Sequence, residues 1–77
     1  MSKYQTNSDK ILQAVITDEQ LVKFYEYNPD DYNLISEALE SDIVVINAIA
    51  QIIKRNEDKA SEKEIYNEVS NFLKTNI

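Results

Sequence analysis

Between residues 43 and 53 only Asn47 and Gln51 are polar. At 3.6 residues per turn these two share a narrow stripe with Lys54 and Arg55. Ile43, Val45, Ile46, Ala48, Ile49, Ala50, Ile52 and Ile53 cover roughly the other two-thirds of the circumference. A helix lying on a protein surface needs a much narrower apolar stripe. The segment is therefore predicted to be a central helix packed on several sides, or one with a face that another chain covers.

The rest of the chain has to supply that cover, and it is short. Its 77 residues allow one domain, and a chain near this size buries only about 60% of the surface its unfolded form exposes. With 43% hydrophobic and 29% charged residues, the composition is that of a globular protein rather than a disordered one. No run approaches the ~18 apolar residues of a membrane span. Residues 1–9 contain no apolar signal core, so a cytoplasmic, intracellular protein is expected.

Four amphipathic segments flank the apolar one. In residues 8–16, Ser8 is the candidate cap, and Ile11, Leu12, Val15 and Ile16 fall on one face. Thr17 with Gln20 reads as a capping box for a second helix. That helix has Leu21, Val22, Phe24 and Tyr25 on one side, and Glu19, Gln20, Lys23 and Glu26 on the other. Pro29 marks the clearest boundary, because it disfavours helical geometry at Asn28 and suits a first helical position. Asn28 is the candidate cap of a third helix reaching about Glu40, with Asp30 and Asp31 complementing its dipole. Tyr32, Ile35, Ala38 and Leu39 form its buried face, with Leu34 at the edge of the wet one. Ser41 or Asp42 would cap the central helix, which should end near Asn56.

After a polar loop over residues 56–60, Ser61 and Glu64 form another capping box, with Ala60 as a small staple against Ile65. The last helix turns Ile65, Tyr66, Val69, Phe72 and Leu73 inward. No stretch alternates with period two, and without Gly the usual short hairpin turns are missing. The predicted fold is all-α: a compact bundle of about five short helices around the apolar helix at 43–55, in one domain over residues 1–77. Residues 1–7 are expected to fray.

Composition also limits the chemistry. There is no His and no Cys, so the commonest general base, the strongest nucleophile and the Cys/His zinc patterns are missing. Without Gly there is no phosphate-cradling loop. The carboxylate pairs Asp30/Asp31 and Glu37/Glu40 sit at a helix start or on a wet face. Acid–base work would instead need one member desolvated. Residues 56–58 lack the spaced ligands and glycine turn of a calcium loop. The chain is read as a non-enzyme with no cofactor and no metal.

The net charge of −6 opposes nucleic acid and anionic lipid, so neither is expected as a partner. Residues 35–54 do have helix-turn-helix spacing: Ile35 and Leu39, a break at residues 40–42, then Ile46 and Ile49. In apolar positions this resembles the internal contacts of such a pair. Yet Glu40 and Ser41 stand where a Gly and an apolar residue are usual. The second helix also opens on Asp42, Ile43, Val44 and Val45, with no Arg, Lys or Gln to reach a base edge.

The remaining constellation is the acidic, tyrosine-bearing corner at 25–32. Tyr27 projects from the polar side of its helix, and tyrosine is enriched at binding hot spots. The function expected is a small acidic protein-interaction module, of the phage- or plasmid-type inhibitor or accessory class, acting on a basic macromolecular surface. Tyr27, Asp30, Asp31, Leu34 and Glu37 are its candidate partner-binding residues. The alternatives are a helix-turn-helix regulator and an oligomer holding a small ligand between subunits. Self-association is expected as well, should the wide apolar face of residues 43–53 stay partly uncovered.

Overall fold

The computed structural model describes residues 6–76, and the expected fraying over residues 1–7 therefore lies mostly outside the described residues. Five α-helices run in the order α1 (Asn7–Ile16), α2 (Glu19–Tyr25), α3 (Ile35–Leu39), α4 (Val44–Asn56) and α5 (Glu62–Asn76). A single 3-10 turn, Pro29–Asp31, stands between α2 and α3, and there is no strand among the described residues. The all-α bundle read from the sequence is the fold.

The apolar segment is central, as its pattern dictates. α4 packs against α1, α3 and α5. Ile46, Ile49, Ala50 and Ile53 are fully buried, and Val45 and Ile52 nearly so. Its wet stripe is equally clear: Val44, Gln51, Lys54 and Arg55 are exposed, with Asn47 half-buried beside them. Most of the wide apolar face is thus covered within one chain, with Ile43 and Ala48 half-buried. α1 shares the centre, adding Ile11, Leu12, Val15 and Ile16 to the core. α5 closes the other side with Ile65 and Val69. α2 is peripheral, and Leu21 is its one buried residue.

The helix ends differ from the predicted ones, each for a local reason. Thr6, not Ser8, caps α1: its hydroxyl accepts the Asp9 N–H at 3.2 Å, and the Asp9 carboxylate accepts the Thr6 N–H at 3.1 Å. This reciprocal capping box frees Ser8 to turn inward, where its hydroxyl donates to Glu57 at 2.8 Å. Thr17 ends α1 rather than starting α2, because its hydroxyl donates back to the Gln13 carbonyl at 2.8 Å. Asp18 caps α2 in its place, accepting the Gln20 and Leu21 N–H groups at 2.9 and 3.2 Å.

The predicted third helix is broken in two. Asn28 does cap, but only the turn Pro29–Asp31, through the Asp30 N–H at 3.1 Å. The chain then leaves helical geometry, with Tyr32 at φ −124° and ψ 59° and Leu34 fully extended. Asn33 causes part of this by donating its side-chain amide to the Asp30 carbonyl at 2.6 Å, a local bond that competes with helix. Ser41 is also reassigned. Ile43 occupies the N-cap of α4 without a side-chain bond, while the Ser41 hydroxyl accepts the Ile43 N–H at 3.0 Å and pairs with the Tyr32 hydroxyl at 2.9 Å. Ser61 and Glu64 do pair at the start of α5, with the Ser61 hydroxyl accepting the Glu64 N–H at 3.3 Å.

Candidate functional site

Charge is unevenly distributed along this chain. Residues 18–42 contain eight carboxylates (Asp18, Glu19, Glu26, Asp30, Asp31, Glu37, Glu40 and Asp42) against one cation, Lys23. That segment alone carries −7, so the remaining residues carry +1 of the whole chain's −6. All eight side chains are exposed. None forms an ion pair among the described residues, whose two pairs are Lys54–Glu57 at 3.5 Å and Arg55–Glu68 at 3.7 Å. The segment spans α2, the 3-10 turn, α3 and the link into α4.

Two polar residues of α1 hold this segment in place. Gln13 donates its side-chain amide to the Tyr32 carbonyl. Asp9, one helical turn earlier and 2% exposed, accepts the Ile35 N–H at 2.8 Å. The break before α3 thus receives from α1 the hydrogen bonds that a continuous helix would have supplied internally. The Asn33 N–H, in turn, donates to Glu37 at 2.9 Å. Asn33 therefore links Asp30 and Glu37 into one corner, with Asp31 beside them on the turn.

Tyr27 does not belong to that surface. It is 7% exposed and donates its phenol to the carbonyl of Ile16, the last residue of α1. Its ring meets Tyr32 edge-on, with centroids 5.7 Å apart. Burial pushes its phenol pKa well above the ordinary range, and the negative charges of Asp18 and then Tyr32 push the same way. The sequence reading placed Tyr27 outward on the assumption that α2 continues through it. The helix stops at Tyr25, and Glu26 then adopts left-handed geometry at φ 51°, which redirects the next side chain into the core. Leu34 is half-buried beside Ile35, Lys54 and Glu57 at a shallow depression, not an exposed anchor. Of the five predicted contact residues, Asp30, Asp31 and Glu37 are exposed together, and Tyr27 is withdrawn.

The exposed aromatic here is one the sequence had assigned inward. Phe24 is 65% exposed, its ring 4.8 Å from that of half-buried Tyr25 in an edge-on contact. Leu21 is buried and Val22 and Tyr25 pack partly against the core, which leaves Phe24 on the outer side of this seven-residue helix. Tyr66 on α5 is likewise 42% exposed rather than inward, and borders a groove between α1 and α5. Among the described residues no group of three or more acidic side chains is placed to hold a metal ion, and no helix is long and apolar enough to cross a membrane. Compared with known proteins, the chain matches no family model, no curated protein and no solved structure.

Proposed function

We propose that this protein is a non-enzymatic binding module whose acidic segment, residues 18–42, docks on the basic surface of a protein partner. The observation that carries the reading is the set of eight exposed carboxylates without ion pairs, opposed by one lysine. Concentrated charge of one sign raises the rate of encounter with the opposite sign. Exposed Phe24 supplies apolar area that carboxylates alone would lack. Small size and strong acidity suit an inhibitor or accessory factor. A protein is favoured over DNA because the cations of α4 are engaged: Lys54 with Glu57 and Arg55 with Glu68.

Capture from a cell lysate tests the reading when wild type is compared with two triple variants. One is Asp30→Asn, Asp31→Asn, Glu37→Gln; the other is the control Asp58→Asn, Glu62→Gln, Glu64→Gln. The first should lose a basic protein that the second retains, with capture weakening as salt rises. Equal capture by both variants would reject it. So would salt-sensitive binding of duplex DNA that disappears on Arg55→Ala.

A further inference from the structure

We propose that the groove between α1 and α5 receives Phe24 from a second copy of this chain. The groove has a volume of about 420 Å³ and is lined by Ile11, Ala14 and Tyr66, with Lys10, Lys63 and Glu62 along its rim. Neither lysine forms an ion pair among the described residues. The rim is therefore net positive in a molecule that is otherwise strongly negative.

Two features of the chain itself complement this groove. Phe24 stands exposed on α2, and it does so within the segment that carries −7. An aromatic ring set in an acidic surface matches an apolar groove with a cationic rim. The exposed large hydrophobics among the described residues are Phe24, Val44 and Tyr66, and this contact covers two of them. The arrangement proposed is a two-fold pair in which each copy's Phe24 enters the other's groove, so that the assembly closes at a dimer rather than running on as a chain of copies. The groove half of this contact lies outside the surface that the binding reading above uses, whereas the Phe24 half lies within it. It also makes Phe24 shared, so a bound basic partner displaces the second copy.

Sedimentation velocity from micromolar to near-millimolar protein tests the proposal, with circular dichroism confirming that each variant folds. Ala14→Glu fills the groove with a bulky like charge at an exposed helical position. Phe24→Ser removes the ring. Wild type should approach twice the monomer mass as concentration rises. Each variant should need roughly tenfold more protein, or more, to do the same. An equimolar mixture of the two variants should associate better than either alone, because it restores one intact ring-and-groove contact. A wild type that stays monomeric throughout overturns the proposal. So does association unaffected by both variants, or a mixture no better than its components. Ala14→Glu leaves the acidic segment intact, so partner capture by that variant reports on the function proposed above independently.

Discussion

Asp9 and Ile35 are 26 residues apart in sequence, and the buried Asp9 carboxylate accepts the Ile35 N–H at 2.8 Å. Its other oxygen accepts the Thr6 N–H. One side chain thus serves the start of two helices, α1 and α3. Asp9→Ala removes a cap and leaves a partly buried N–H unmet, so it should cost about 2–3 kcal/mol of stability. Asp9→Asn keeps one acceptor oxygen but puts an amide where an N–H must be accepted, and should lose less. Urea unfolding of the three proteins gives the order directly. Equal stability of wild type and Asp9→Ala would show that the carboxylate is not holding the corner.

The raised pKa of Tyr27 fixes the sign of an alkaline response. In the folded chain the phenol keeps its proton at a pH where the unfolded chain, near the ordinary value of about 10, gives it up. Above that pH the folded state binds more protons than the unfolded state, so stability falls as pH rises. The contribution is fully present below about pH 10 and is lost upward from there. Tyr27→Phe should flatten this alkaline slope. At neutral pH it should cost about 1 kcal/mol, because the Ile16 carbonyl loses its donor. Thermal melts at neutral and strongly alkaline pH read both effects.

Within α4, position on the helix should decide the cost of truncation. Ile49 is fully buried, whereas Val44, one residue beyond a full turn away, is 81% exposed. Ile49→Ala should cost about 2–5 kcal/mol. Val44→Ala should stay within about 0.5 kcal/mol. Similar losses at both positions would mean that α4 is not packed as described.

Glu26 is the one non-glycine residue with positive φ among those described. The chain has no Gly to place there, so a side chain with a Cβ carries the left-handed cap of α2. Glu26→Gly relieves that conformation and should leave the protein as stable or more so, by up to about 1 kcal/mol. Glu26→Val, β-branched, should destabilise it. If Val is tolerated as well as Gly in chemical denaturation, the cap is not left-handed in solution.

The parts of this fold that were legible in the sequence are those set by periodicity. The stripe of Asn47, Gln51, Lys54 and Arg55 declares itself because eight apolar neighbours leave nowhere else for water, whereas the exposure of apolar Val44 carries no such polarity signal. The pairing of Ser61 with Glu64 was readable because both partners lie within one turn. The corner at 26–35 was not. A left-handed Glu26 has no compositional marker, since any L-residue other than Gly is disfavoured there and Asn is the usual exception. The bonds from Asp9 and Gln13 to Ile35 and Tyr32 join distant residues, and periodicity reports faces rather than contacts. Tyr27 and Phe24 therefore exchanged places: the residue assigned to the surface is buried, and the one assigned to the core is exposed. The exposure of Asp30, Asp31 and Glu37 was legible because an exposed carboxylate is the default for that side chain.

The uneven placement of charge has a consequence for handling the molecule. An ion-exchange matrix responds to the most charged patch that a protein can turn toward it, not to the sum over the whole chain. With −7 gathered in residues 18–42 and +1 spread over the rest, this protein should elute from an anion exchanger later than an evenly charged protein of the same net charge. Neutralising three carboxylates inside that segment should advance its elution more than neutralising three outside it. The chromatogram would then report the orientation that the molecule takes as it approaches any cationic surface, before a partner is in hand.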